Sequence, residues 1–157
     1  MSGENESLGA VEELREDLSD LVILKTSWEG RQIDDTLQTI VHFANECDAG
    51  ASISLTIGGS LVTGVLISAD NYFDQLIAGF SSASGDGKNL APAAMAKILT
   101  ARKPAGGSPV PSQFLHLKDA KIYNGGDMPI PGNGTLWRGK ISSVDGFFFG
   151  VVRTNSN

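Results

Sequence analysis

The stretch from Phe114 to Gly150 constrains the fold of this chain most. It reads Phe114-Leu-His-Leu-Lys-Asp-Ala-Lys-Ile-Tyr123, then a Gly/Pro-rich connector, then Leu136-Trp-Arg-Gly-Lys-Ile-Ser-Ser-Val-Asp-Gly-Phe-Phe-Phe-Gly150. Only 7% of the chain is aromatic, yet four of the seven Phe and one of the two Trp fall here. Trp137, Gly139 and Ile141 alternate with Leu136, Arg138 and Lys140, the period of two of a sheet with unlike faces. Asp145-Gly146, set between Ile141–Val144 and Phe147–Phe149, predicts a two-residue type I′ hairpin turn with positive φ. The expectation is a buried hairpin core with basic residues on one face.

The remaining strands and helices follow from shorter signals. Ile53, Leu55 and Ile57 alternate with Ser54 and Thr56, and Gly58-Gly59 turns the chain into a strand over 61–68. Gly64 inside that strand predicts a bend or a close approach of another backbone. Asp34 and Asp35 suit the first turn of a helix whose apolar face is Leu37, Ile40, Val41 and Ala44. Ser68 is the expected N-cap of a helix carrying Tyr72, Phe73, Leu76 and Ile77. Residues 79–112 are rich in Ser, Gly, Pro and Ala and read as an excursion holding one helix over 93–102. Residues 125–134 read as an irregular loop. The fold class is therefore α+β: a small antiparallel five-stranded sheet or an SH3/Sm-like barrel, preceded by two helices, with a helical or flexible insert between strands 2 and 3. The expected core is Ile53, Leu55, Ile57, Val65, Ile67, Leu115, Leu117, Ile122, Trp137, Ile141, Phe147 and Phe149.

Charge divides the chain. Residues 1–50 carry twelve acidic and three basic side chains, a net −9, while residues 51–157 carry six and nine, a net +3. Within the acidic part, Leu8, Val11, Leu14, Leu18 and Leu21 recur three and four apart as one stripe of an amphipathic helix. That stripe packs on the domain or docks a partner, and Leu14, Leu18 and Leu21 are its candidate contact residues. We divide the chain into an acidic helix and tail over 1–32 and one α+β domain over 33–157, with its insert at 79–112.

Chemistry-bearing motifs are absent from the sequence. His42 and Cys47 lie five apart, not the i, i+4 spacing that puts two metal ligands on one helix face, and His116 is flanked by Leu115 and Leu117 and so is expected to face solvent. Asp70, Asn71 and Asp74 lack the spacing of a calcium loop, and Gly87-Lys88 lacks the rest of a phosphate loop. No enzyme, cofactor or metal is expected. A single cysteine excludes an intramolecular disulfide, no apolar run approaches the ~20 residues of a membrane span, and the first residues lack a signal peptide. A cytoplasmic protein without membrane contact is expected. Net acidity and the lack of a dense basic run argue against nucleic acid. Lys118, Lys121, Arg138 and Lys140 are nonetheless a candidate interaction patch, which on an Sm-like barrel is an alternative RNA- or ligand-binding face.

The two strand blocks also resemble a known family. Phe114–Tyr123 followed by Leu136–Gly150 is similar to the C-terminal signature of gas vesicle protein U, and Asp35–Leu37, Ile53–Leu55 and Gly64–Asp74 resemble its N-terminal half in the same order. The resemblance implies a non-enzymatic accessory protein associated with gas vesicles. It also implies action by protein–protein contact in vesicle assembly or clustering, with the vesicle shell or other gas vesicle proteins as expected partners and self-association as a further expectation.

Overall fold

The structure, a computed structural model, describes residues 19–20, 33–82, 91–104, 111–126 and 128–152. The expected acidic stripe, with Leu14, Leu18 and Leu21, lies outside the described residues; Ser19 and Asp20 within it are helical and exposed.

Helix α1 spans Asp35–Cys47 and buries Leu37, Val41 and Ala44, positions 0, 4 and 7 of one helical stripe. Asp35 sits in its first turn, where a carboxylate favours the helix dipole. It stops at Asp48, whose φ of 46° cannot continue a right-handed helix. Strand β1 (Ala51–Ile57) and β2 (Ser60–Ile67) are joined by Gly58-Gly59, with φ of 55° and 82°, the two positive values a type I′ turn demands. Ser68 then caps α2 (Ala69–Ser82): its Oγ accepts from the Asn71 N–H at 3.1 Å and donates to Asp48 Oδ1 at 2.6 Å. Helix α3 (Ala91–Arg102) packs on α2, and Lys103 beyond it donates to Asp74 Oδ1 at 2.7 Å. Strands β3 (Phe114–Tyr123) and β4 (Ile130–Lys140), a 3-10 turn (Ile141–Ser143) and β5 (Gly146–Phe149) complete the domain.

The five strands form one antiparallel sheet in the order β4-β3-β2-β1-β5. The α+β class with a five-stranded sheet stands, but the sheet is open, so the small β-barrel is corrected. The opposite edges carry β4, interrupted by Pro131, Gly132 and Gly134, and a β5 of only four residues. The connection between them is nonetheless short. A flat sheet holds its two edge strands, β4 and β5, about 19 Å apart, whereas six Cα steps from Lys140 to Gly146, three of them in a 3-10 turn, reach about 16 Å. The sheet must therefore curl.

The predicted Asp145-Gly146 hairpin is also corrected. Gly146 is not among the residues with positive φ, and β5 pairs with β1, not with the residues before it. The Asp145 N–H donates to the Thr56 carbonyl at 2.8 Å, and its carboxylate accepts from the Gly58 N–H at 2.7 Å. Asp145 thus docks on the β1–β2 turn. Two further boundaries differ from expectation: β4 begins at Ile130, inside the stretch read as loop, and α2 runs to Ser82, well into the stretch read as an excursion.

Most of the sheet's core lies on one face, while Ile67, with Phe73 of α2, is buried on the other. Ile53, Leu55, Val62, Leu66, Leu115 and Leu117 are buried on the first face, paired across neighbouring strands. Trp137, opposite Leu117, lays its indole over Gly139, leaving no room for a side chain at that residue. Gly64 is a close approach as expected: a Cβ there would stand 3.0 Å from the Lys118 carbonyl. Six of the twelve expected core residues are fully buried: Ile53, Leu55, Ile67, Leu115, Leu117 and Ile141. Ile57, Ile122, Trp137 and Phe147 are only half-buried, Val65 is half-buried on the opposite face, and Phe149 is exposed at the sheet edge.

Candidate functional site

The second face of the sheet carries two different surfaces, and the β2–β3 register decides what lies on it. Thr63 pairs with Lys121 and Val65 with Lys118, so Asp119 and Ala120 together oppose the single residue Gly64. This is a β-bulge, with Asp119 at a φ of 53°. The extra residue puts Lys118 and Lys121, three apart in sequence, on the same face. Arg138 pairs with His116 and Lys140 with Phe114, which places both on that face too. The four basic residues expected to form a patch therefore share one side of the sheet, strung diagonally from β3 to the end of β4.

At one end this face is covered by α2. Tyr72 stacks on His116 with ring centroids 4.7 Å apart, and Phe73, buried, lies 6.3 Å from the same ring. The Arg138 guanidinium lies 4.0 Å above the Phe114 ring and 5.6 Å from Phe73. His116 thus faces away from Leu115 and Leu117 as its strand position requires, but α2 seals it from solvent and the solvent-facing expectation is corrected. Neither of its ring nitrogens has a hydrogen-bond partner. Burial, with a smaller contribution from the Arg138 charge, lowers its pKa to about 4. It is therefore a neutral packing residue at neutral pH. Arg138 serves as a stacked lid, and Lys140 remains exposed at the strand end.

The other end of the face is open. A groove of about 620 Å³ runs across β1, β2 and β3, floored by Ser52, Thr63, Val65, Lys121 and Tyr123. One wall is the β3–β4 connection, with Met128 and Pro129; the other is the chain after β5, with Val151 and Val152. The Val151-Val152 wall is tied to β1 at its start. Gly150 turns at a φ of 106°, its N–H donates to the Ser52 carbonyl at 2.8 Å, and its carbonyl accepts from Ser54 Oγ at 2.7 Å. On the far side, Gly134 comes so close to the Asp119 backbone that a Cβ would lie 2.9 Å from it.

Lys121 is the charged group in the floor and is half-buried, with the exposed Asp119 at the lip. Met128, Val151 and Val152 are exposed apolar residues around it. Of the four basic residues only Lys121 lines the groove; Lys118 is the next position on the same face of β3, and Arg138 and Lys140 lie toward the other end of that face. Sequence reasoning missed the walls because Met128 and Val151-Val152 fall in stretches without strand or helix periodicity. The one available signal was an apolar Val-Val pair directly after a glycine. Among the described residues, no group of three His, Cys, Asp or Glu converges as a metal site, and no helix is long and apolar enough to cross a membrane.

No curated protein and no solved structure matches the chain. The family model described as gas vesicle protein GvpU-like matches residues 34–152, from the start of α1 through both walls of the groove. A match over most of the sequence makes this chain a member of the gas vesicle protein GvpU-like family.

Proposed function

We propose that the chain is a non-enzymatic accessory protein of gas vesicles, acting in the cytoplasm by protein–protein contact in vesicle assembly or clustering. Family membership supplies the gas vesicle context. The observation that carries the contact reading is the set of exposed apolar side chains around the groove, Met128, Val151 and Val152, with Phe148 exposed on the same face of β5. Contiguous exposed apolar surface rimmed by polar residues is what an interaction site presents. Lys118, Lys121, Arg138 and Lys140 are proposed contact residues on the same face, and Leu14, Leu18 and Leu21 a second contact on sequence alone. A sealed, unprotonated His116 and a solvent-facing His42 on α1 support a non-catalytic role.

Co-sedimentation with purified gas vesicles tests the reading. The full chain is expected to sediment with vesicles, and a chain starting near Arg31 is expected to fold but bind less. A full chain left in the supernatant overturns the accessory role; a salt-dependent shift of RNA in a gel then favours the alternative nucleic-acid reading.

A further inference from the structure

We propose that the groove between Met128-Pro129 and Val151-Val152 takes an extended acidic peptide segment of a partner protein, one carboxylate on Lys121 and aliphatic side chains on the two walls. The proposal rests on the accessory reading above and names the chemistry of the partner that this surface fits.

Charge selects the ligand's sign. Lys121 is half-sunk in the floor and Lys118 stands beside it, and among the described residues neither is ion-paired. Asp119 at the lip offsets only one of the two charges. A half-desolvated ammonium prefers a carboxylate to a neutral amide. The hydroxyls of Thr63 and Tyr123, with Ser52, supply further hydrogen-bonding groups on the same floor.

Shape selects the ligand's class. The volume of about 620 Å³ lies in the range of ~300–1,000 Å³ typical of binding sites. The walls, however, are largely outside it: Met128 is 78% exposed, and Val151 and Val152 are more than a third exposed. A small molecule seated on Lys121 leaves them wet, while 70–90% of a ligand's surface is normally buried in such a site. An extended chain alternating acidic and aliphatic residues covers both walls and keeps its carboxylate over the floor. The hydrogen bonds at Gly150 fix the start of the Val151-Val152 wall before any ligand arrives, which lowers the ordering cost of binding.

The test uses the full chain with ¹³C-methyl-labelled Met and Val, titrated with acetyl-Leu-Asp-Leu-Glu-Leu-amide and with its Leu-Asn-Leu-Gln-Leu counterpart. The Met128, Val151 and Val152 methyl signals are expected to shift with the acidic peptide. The Kd is expected to rise about tenfold or more for the amide peptide and for Lys121→Glu, roughly the loss of one charge-assisted contact. Lys121→Gln, with the methyl spectrum away from the groove unchanged, separates lost charge from a disturbed fold. Unshifted wall methyls at millimolar peptide, or equal affinity for the two peptides, overturn the proposal. A native full chain that sediments with vesicles but does not bind the acidic peptide overturns the groove assignment alone. Peptide binding by a full chain that fails to sediment with vesicles overturns the accessory reading and supports the groove.

Discussion

Gly134 and Asp119 face each other across β3 and β4, each with positive φ, 77° and 53°, and close enough that a Cβ on Gly134 would sit 2.9 Å from the Asp119 Cα. The contact holds the bulge that keeps Lys118 and Lys121 on one face. Gly134→Ala combines a left-handed backbone, worth about 1–2 kcal/mol, with a clash against backbone that cannot rotate aside. We expect a loss of about 2 kcal/mol or more in urea melts, with the largest amide shifts along residues 118–121.

Gly59 and Gly146, both read from the sequence as turn glycines, should respond differently to substitution. Gly59 has a φ of 82° in open space, so Gly59→Ala costs about 1 kcal/mol for conformation alone. Gly146 is not in the left-handed region and meets only Thr56 Oγ1 at 3.2 Å. Gly146→Ala should therefore cost less than Gly59→Ala in thermal or denaturant unfolding.

His116 gives the domain an acid-sensitive component. Its folded pKa of about 4 lies below the ordinary 6.5, so the unfolded chain binds a proton that the folded one refuses. Stability is unaffected above pH 6.5 and falls as pH drops from there to about 4, by at most about 1.4 kcal/mol per unit and a few kcal/mol in all. His116→Phe should flatten this part of the stability–pH curve relative to the native chain. Equal slopes for the two proteins between pH 6 and 4.5 count against the assignment.

Arg138 and Lys140 share a strand and a face but not a role. Arg138 stacks on Phe114, so Arg138→Ala is expected to lose about 1 kcal/mol through cation–π and stem packing. Lys140→Ala, at an exposed position, should stay within about 0.5 kcal/mol. Charge reversal of all four basic residues therefore confounds binding with stability, and Lys118 and Lys121 are the cleaner pair.

Period and capping made much of this fold readable. The alternation in 53–57, the Gly58-Gly59 turn, the Ser68 cap and the apolar stripe of α1 are local signals, and the structure has all four. Asp145-Gly146 was misread because a local turn preference competes with a long-range partner: Thr56 and Gly58 capture the Asp145 backbone and side chain. His116 was misplaced for a related reason. Its strand position fixed the face, but whether α2 covers that face depends on tertiary packing, which leaves no trace in the alternation. The candidate site was half legible. Its lysines stand in a periodic strand, whereas its walls are made of residues in stretches without periodicity.

The pairing of β1 with β5 also bears on how the chain is born. Ser54 and Gly150, joined by a hydrogen bond, are 96 residues apart in sequence. A ribosome that has released residues up to Lys140 has already delivered the β1–β4 meander, yet the outer edge of β1 is still unpaired. For that interval the nascent chain presents an exposed strand carrying Ile53 and Leu55, an invitation to foreign pairing. Contacts of such long separation also slow folding. Only when Phe149 has emerged can the sheet finish, and until then the free edge of β1 is the place its own last strand will occupy.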